Sequence, residues 1–584
     1  MSSQLPTRSM SAPGPSRQHH DSLAVALELK SVDLRHLSRG SRVSHPYPSE
    51  LEEAAIGQEM DEIDIGPPAL PPPDQHEYLT GARLAVVSAA TTIVVLLTMI
   101  DTSIVSTAIP RITDEFHSLD DIGWYASIYQ LASAALQPLT GKIYTKFNIK
   151  WSFLVFFAIF ELGSALCGMS RNSLTFIVGR AVAGAGSSGL MNGALTIAAN
   201  IVSMERRASV TGLMMGTSQL GVVIGPLVGG VLTSYSTWRW CFYLNLPVGA
   251  VVFMALLFIR IPEQVKKKKP MDVLKNLHQE LDLLGFILFT PAMMMLLLAL
   301  QYGGTRFPWD SRTITGMFVG SGLLFSAWLV WDWMCGDEAL IPFSLMRKRT
   351  VWSGSLTQWC NMTIVFSAGY FLPLFFQAVK GATPVMSGVY VLPSVLSQLV
   401  FAGMSGFLVE KVGYVIPFTV FSGTVAAVSN GLYSTFSLDT PVATWIGYQV
   451  LNGIGRGTGM SMPLVAAQAA LTPAEISMVM GILVFFGMLG AAIMMALANT
   501  IFNQSLRVEL TRGFHSATVA QTVIEAGATG FRRVVSQADM RMVINAYSAS
   551  ISRVFYLIAA AGATSVFTSL FMGRRGEAGR RRAM

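Results

Sequence analysis

The sequence predicts an all-α polytopic membrane protein, and three observations lead to that fold class. The 584 residues are 52% hydrophobic and only 13% charged, with a mean hydropathy of +0.50. A soluble domain carries about a quarter charged residues, because its surface must be solvated. Apolar runs long enough to cross a bilayer recur between residues 84 and 572. Basic residues cluster between these runs, as in the cytoplasmic loops of membrane proteins.

Other protein classes are disfavoured by what the sequence lacks. The net charge of +7 does not indicate nucleic-acid binding, because no basic face with interleaved aromatic residues occurs. The four cysteines lie in or beside apolar stretches and lack metal-ligand spacing. Walker A, nucleophile-elbow and zinc-protease motifs are missing, which disfavours an ATP-driven pump and an enzyme. We therefore expect no enzymatic activity, no metal and no cofactor.

About 14 spanning helices are expected, in two sets of six with two more between them. The first segment is rich in Ser, Pro and charge, and we expect a disordered cytosolic tail there. A long external loop is expected at about 503–550 within the last set. The segments are 1–80 (tail), 81–260 (six helices), 261–350 (a cytoplasmic loop and two extra helices), 351–573 (six helices) and 574–584 (basic tail).

Lys and Arg residues set the expected orientation. Basic clusters follow the second, fourth, sixth, eighth and last runs, whereas most intervening loops are poor in basic residues. Both termini are therefore expected to be cytoplasmic. The loop at 503–550 opposes this assignment, since it carries five arginines.

The two sets of runs show weak similarity to each other, as in many transporters. The segment from Gly141, "GKIYTKFNIK", is echoed by "GFLVEKVGY" from Gly406. Two further glycine pairs repeat at similar separations, Gly184 with Gly453 and Gly225 with Gly490. We therefore expect two related helix bundles.

Charged residues inside spanning helices are costly, at about 2.5–3.5 kcal/mol on insertion scales, and normally face the bundle interior. Asp101 of the first run and Arg180 of the fourth lie at similar depths, so we expect them to pair. Either the carboxylate exchanges protons, or the two residues form a fixed structural ion pair, or Asp101 caps a helix near the lipid headgroups. Glu161 of the third run is a second candidate for a proton site.

The fifth run contains the glycine-rich segment "GVVIGPLVGG". Small residues one turn apart let a neighbouring helix approach closely, and proline leaves a carbonyl without its donor. The segment therefore predicts either a gating bend or ordinary small-residue packing. Its residues are Gly221, Gly225, Pro226, Gly229 and Gly230.

These segments together resemble the major facilitator superfamily, and within it the fourteen-helix drug:proton antiporters, most closely fungal toxin and drug efflux pumps. The segment from Gly221 resembles the antiporter signature, and "IDTSIVSTAIPRI" from Ile100 resembles the first-helix signature. The resemblance implies two six-helix bundles plus two extra central helices, and proton-driven export of a small amphipathic organic molecule. A proton-coupled importer, for example of siderophores, and a transport-dead receptor are the alternatives.

The same resemblance implies a gate in the cytoplasmic loop after the second helix. Thr145 stands where the signature usually has Asp, and Asn148 stands where it has Gly. The expected gate residues are Gly141, Lys142, Lys146, Lys150, Glu410 and Lys411.

Four residues of the second set are candidates for lining a substrate cavity, namely Arg456, Gln449, Trp359 and Tyr370. Asn503 begins a glycosylation sequon in the presumed external loop. The expected partners are a small-molecule substrate, protons and the lipid bilayer, with no nucleic acid. We expect a monomer in the plasma membrane, with the vacuolar membrane as the alternative.

Overall fold

The computed structural model describes residues 78–117, 121–204, 206–304 and 307–572. The predicted basic tail and all but the last three residues of the predicted N-terminal tail lie outside these ranges. Within them the structure contains fourteen long helices. These are α1 Gly81–Phe116, α2 Ile122–Lys146, α3 Ile149–Met169, α4 Ser173–Ile201, α5 Arg207–Tyr235, α6 Asn245–Phe258, α7 Leu283–Tyr302, α8 Arg312–Cys335, α9 Arg349–Ala378, α10 Pro384–Val412, α11 Ile416–Tyr433, α12 Val442–Gly459, α13 Pro473–Phe514 and α14 Met540–Leu570.

Among the described residues, eleven helical segments are long and apolar enough to cross a membrane. The other three long helices, α2, α11 and α12, lie where spanning helices were predicted but are not among these eleven segments. Two predicted spans are interrupted. The sixth span begins with a separate turn, Trp240–Tyr243, and the short helix Met462–Ala470 follows α12.

Polar residues define several helix ends. The Asn172 side chain accepts from the backbone N–H of Thr175 at 2.8 Å and so caps α4. Asn148 caps α3 in the same way, accepting from Trp151 N–H at 3.1 Å. The departure from glycine at position 148 thus gives α3 a defined first turn.

The first six and the last six helices repeat one pattern of neighbours. In the first half α1 packs on α5, and α4 packs on α2 and α3. In the second half α9 packs on α13, and α12 packs on α10 and α11. Helices α1, α2, α3, α4 and α5 of the first half therefore pack on one another in the same way as α9, α10, α11, α12 and α13 of the second half.

The repeated glycines lie at equivalent contacts. A side-chain carbon at Gly184 would fall 2.3 Å from the Tyr129 carbonyl of α2, and one at Gly453 would fall 2.3 Å from the Ser394 carbonyl of α10. Such distances are too short for a side chain, so both positions require glycine for the helices to meet. The weak sequence similarity between the two halves thus reflects glycines that are needed at equivalent helix contacts.

The two halves meet at the end of the bundle where α2 ends and α5 begins, here named the basic end. A side-chain carbon at Gly141 would lie 3.2 Å from the Met478 Cα of α13, and one at Gly406 would lie 2.6 Å from the Ala208 carbonyl of α5. The same glycine pair of the repeat therefore closes both sides of the interface at this end.

Helices α7 and α8 pack on each other, and α7 also contacts α2 and α13. The Phe289 ring of α7 lies 5.1 Å from Trp328 of α8 and 5.3 Å from Phe485 of α13. The inserted pair is therefore placed beside the line where the two halves meet.

The predicted external loop at 503–550 is wrong at both ends. Helix α13 continues to Phe514, and α14 already begins at Met540. With 42 residues, α13 is about 63 Å long, twice what a bilayer core of about 30 Å needs. The polar residues after position 502 form the surface of this extension. Between α13 and α14 lie the short helices Ala517–Glu525 and Gly527–Val534.

One arginine of this connection has a structural role. Arg532 donates to the carbonyls of Ala378 and Val379 at 2.8 and 3.3 Å, at the C-terminus of α9. A cation there binds otherwise unpaired carbonyls and complements the helix dipole. This contact accounts for one of the arginines that opposed the predicted orientation.

Candidate functional site

Asp101 of α1 and Arg180 of α4 form a fully buried ion pair. The Arg180 Nη1 donates to Asp101 Oδ2 at 2.6 Å, and the two side chains are 1% and 0% exposed. Asn245 of α6 donates to the other carboxylate oxygen at 3.2 Å. Arg180 Nε donates to the Tyr125 carbonyl at 3.2 Å, and the guanidinium lies 4.4 Å from the Tyr129 ring centre.

This arrangement offsets the desolvation of both charges. Removing an ion from water costs several kcal/mol, which attraction to a partner repays only with good geometry and further hydrogen bonds. Both carboxylate oxygens of Asp101 have donors. Arg180 also keeps contacts with a carbonyl and an aromatic ring that do not depend on the carboxylate. A neutral Asp101 would thus leave the arginine partly satisfied.

Glu161 of α3 lies in the contact between α3 and α6. Both carboxylate oxygens are buried and have no hydrogen-bond partner among the described residues. A side-chain carbon at Gly249 of α6 would fall 2.0 Å from Glu161 Oε1, so glycine there makes room for the carboxyl group. One turn along each helix, Asn245 donates to Ser164 at 3.0 Å. The Asn245 amide therefore lies between the ion pair and the helix that carries Glu161.

The glycine face predicted on α5 packs against α1. Side-chain carbons at Gly221, Gly225 and Gly229 would each fall less than 3.0 Å from an atom of α1. The closest approach is 1.9 Å, between Gly225 and Ser103 Oγ, two residues from the buried carboxylate. Gly230 has no such neighbour within 4 Å. Three glycines of the segment are thus needed for close packing, and the fourth is not.

Helix α5 also contacts the second half. It continues through Pro226 as one helix. A side-chain carbon at Gly212 would lie 2.7 Å from the Ala402 carbonyl of α10, and one at Gly216 would lie 3.0 Å from Ala402 Cβ. Small residues therefore hold α5 against α1 on one side and against α10 on another.

The lysines of the predicted loop gate contact residues at the end of α6, just before α7 and just after α8. Lys142 is buried and donates to the Glu338 carbonyl. Lys146 pairs with Glu280, and Lys150 donates to the Leu257 carbonyl at 2.7 Å.

Glu280 lies outside the spanning helices, in the short helix Leu277–Glu280. Hydrogen bonds from the Lys146 ammonium and then from Lys268 hold the pKa of the Glu280 carboxyl below its usual range. Thr145, at the usual Asp position, donates to the Gly141 carbonyl of its own helix at 2.8 Å. The connection between α6 and α7 thus supplies, through Glu280, the acidic partner that position 145 lacks.

At the basic end, the second copy of the loop makes a polar contact between the halves. Ser209 of α5 donates to Glu410 of α10 at 2.7 Å. The Lys411 ammonium lies 4.4 Å from the Phe407 ring centre in its own helix. Glu410 therefore contacts the opposite half.

A cavity of about 1180 Å³ lies between α2, α13 and the end of α7. Its apolar lining includes Leu131, Leu300 and two methionines, Met488 and Met495. Its polar lining consists mainly of amide side chains. These are Gln130, Gln301, Asn499, Asn503, Gln504 and Gln521.

None of the four predicted cavity residues lines this cavity. Trp359 packs over Gly490 of α13, where a side-chain carbon would fall 2.4 Å from its ring. Tyr370 is 52% exposed and contacts the Phe371 ring.

The other two candidates are buried in the second half. Gln449 is fully buried, and neither amide atom has a partner among the described residues. Among the described residues, the Arg456 side chain makes one hydrogen bond, which it donates to Ser394 Oγ at 3.5 Å. Both residues therefore lie in the interior of the second half, outside the lining of this cavity.

Asn503 lies within α13 and lines the cavity, which corrects its assignment to an external loop. Glycan acceptors belong to surface loops. Asn499, Asn503 and Arg507 follow one another at intervals of four residues, so they share one helix face. This spacing would have predicted a polar helix face, but only if the helix had been predicted to continue past Thr500.

Residues 91–495 match the family described as the Major Facilitator Superfamily. This chain belongs to the Major Facilitator Superfamily. It is 48% identical over 531 residues to the MFS-type transporter pigP of Monascus ruber, covering 90% of this chain and 93% of that one. It is 44% identical to the efflux pump mlcE of Penicillium citrinum, covering 86% and 92%.

Solved Major Facilitator Superfamily structures share the fold. The proton:xylose symporter XylE matches with a TM-score of 0.54 at 12% identity, covering 84% of this chain and 96% of that chain. The protein is therefore a multi-pass membrane protein of this superfamily, as its signature segments predicted. The contact of α5 with α10 and of α2 with α13 is the interface between its two halves.

Proposed function

We propose that the protein is a proton-coupled antiporter that exports a small amphipathic organic molecule. Relatives that cover most of the chain are named as transporters or efflux pumps, among them mlcE. The observation that carries the coupling is the fully buried Asp101–Arg180 pair. A carboxylate held beside a cation inside a spanning bundle can take up and release a proton at low structural cost when the cation has other partners.

Protonation of Asp101 removes its attraction to Arg180, which keeps its contacts with the Tyr125 carbonyl and the Tyr129 ring. Helix α1 is then released from α4 at this point. Because Gly225 packs directly on the same stretch of α1, the change reaches α5 and through it the interface with α10. Glu161 of α3, packed against Gly249 of α6, supplies a second protonation site.

Transport follows from alternating closure of the two ends around a cavity. The halves touch at the basic end, whereas the cavity reaches towards the opposite end. With the basic end in the cytoplasm, as the lysine clusters indicate, the structure is an outward-facing state. The segment around Gly221 and Gly225 supports export, and the expected location is the plasma membrane.

The test compares the organic molecules retained and released by cells with and without the protein. The molecule whose release depends on the protein is then followed in proteoliposomes under an imposed pH gradient. Asp101→Asn should abolish gradient-driven release while the protein still inserts normally. Asp439→Asn, at a 79% exposed carboxylate, is the matched control and should transport normally. Gradient-driven release by Asp101→Asn at the wild-type rate would refute the proposed coupling.

A further inference from the structure

The cavity between α2 and α13 has one wall that a twelve-helix bundle would not contain. Leu297, Leu300 and Gln301 of α7 line it, together with residues of the connection to α8. Helices α2 and α13 touch near the basic end and leave this space further along, where α7 fills the gap between them. The inserted pair therefore closes the side of the cavity.

Among the described residues of the lining, the charged side chains are one acid, Asp310, and one base, Arg507, so their formal charges cancel. The Arg507 guanidinium already donates to Gln521 at 3.2 Å. With one acid and one base, this part of the lining favours neither an anion nor a cation, and most of its polar groups are neutral amides.

The cavity does offer neutral hydrogen-bonding groups. An amide both donates and accepts, so it suits carbonyl, hydroxyl and lactone oxygens alike. Four lining amides make no side-chain hydrogen bond among the described residues, and they are Gln130, Asn499, Asn503 and Gln504. Opposite them lie apolar side chains and two methionines, whose flexible thioethers adapt to ligand shape.

We propose that this cavity binds the transported molecule, that α7 forms part of the binding site, and that the site selects uncharged, oxygen-bearing amphipathic molecules. The proposal rests on the proposed export function. A volume of about 1180 Å³ accommodates a multi-ring organic molecule, since ligand pockets commonly measure about 300–1,000 Å³. The apolar body of the ligand packs on Leu131, Leu300 and Met495, and its oxygens meet the amides of α2 and α13.

The binding test uses detergent-solubilised full-length protein and tritiated progesterone, an uncharged steroid with two carbonyl groups, in a scintillation proximity assay. Pregnenolone sulfate, with the same ring system and a negative charge, is the competitor. Saturable progesterone binding with little competition by the sulfate is expected. Gln130→Leu and Asn499→Leu should each weaken binding about threefold to tenfold, the effect of one lost hydrogen bond.

Two further variants locate the site. Leu300→Trp should fill the α7 side and weaken binding at least about tenfold. Leu323→Trp, at a 68% exposed position of α8 outside the cavity lining, is the matched control and should bind normally. Asn499→Lys should let pregnenolone sulfate compete, because it adds a cation among the neutral amides of the lining. A gain of pregnenolone sulfate binding by this variant could not result from misfolding of the protein.

Three results would overturn the proposal: no saturable progesterone binding, equal competition by the sulfate in the unmodified protein, or unchanged binding by Leu300→Trp. Failure of the export function is recognised separately. Cells that release the same molecules with and without the protein refute export, whereas proton-driven export with binding unaffected by all the cavity variants refutes only this site.

Discussion

Replacing Gly225 by alanine tests whether the glycine face of α5 holds α1 in place. The added methyl carbon would lie 1.9 Å from Ser103 Oγ and 3.0 Å from the Ile100 carbonyl. Overpacking of this kind costs about 1–3 kcal/mol. Alanine in place of glycine inside a helix contributes about 1 kcal/mol in the opposite direction. The net effect on Gly225→Ala is therefore a loss of up to about 2 kcal/mol.

Gly230→Ala is the control, because the same substitution on the same helix meets no atom within 4 Å. It should gain up to about 1 kcal/mol, so the two variants should differ by about 1–3 kcal/mol. Melting temperatures of the purified proteins measure the difference. Ser103→Ala in the Gly225→Ala background should recover part of the loss, since it removes the nearest atom. That recovery is offset by loss of the Ser103 hydrogen bond to the Gly221 carbonyl, at 2.9 Å.

Transport gives the second readout. Gly225→Leu should fold but exchange slowly or leak protons, because it separates α5 from the α1 segment that carries Asp101. Substrate affinity and proton flux are measured separately in reconstituted protein. Equal melting temperatures for Gly225→Ala and Gly230→Ala, with normal exchange by Gly225→Leu, would show that this contact carries neither stability nor coupling.

Two further predictions concern ion pairs. Arg180→Gln and Asp101→Asn should each destabilise the protein by about 3–5 kcal/mol, because each leaves a buried charge without its partner. The double variant should lose less stability than the sum of the two single losses. Additive shifts in melting temperature would show that the two charges act independently. Glu115 lies past the apolar span of α1, and its hydrogen bond from Arg239 helps hold the pKa of the carboxyl below its ordinary value. Its stabilising effect is present at neutral pH and is lost as the pH falls through about 4 and below. The melting temperature of Glu115→Gln should therefore lie below that of the unmodified protein at pH 7 and converge with it in acid; a constant gap across that range would contradict the assignment.

The helices and the ion pair could be predicted because each depends on a strong local signal. A run of apolar residues specifies a spanning helix almost regardless of its neighbours. A charged residue at depth needs a partner, and Asp101 and Arg180 lie at matching depths. The glycine spacing on α5 likewise predicts a close helix contact, although not that α1 is the partner.

The cavity could not be found this way, because it depends on where α2, α7 and α13 sit in three dimensions. Gln130 and Asn499 are far apart in sequence and unremarkable on their own. Trp359 was a reasonable candidate by residue type, but glycine at 490 lets it pack between helices. The extension of α13 beyond Thr500 was not predicted. A helix that continues out of the membrane keeps its backbone hydrogen bonds but no longer needs the run of apolar residues by which a spanning helix is identified.

The α7–α8 pair contacts the first half through polar interactions and α13 of the second half through aromatic rings. This difference determines which half the pair should follow. At α2, the buried Lys142 donates to the Glu338 carbonyl and Lys146 pairs with Glu280. These directional contacts tolerate little displacement. On the other side the Phe289 ring meets Phe485, a non-directional contact over which surfaces can slide. When the halves rock, we expect the pair to move with the first half and to slide against α13. The width of the cavity would then depend on the distance between α7 and α13.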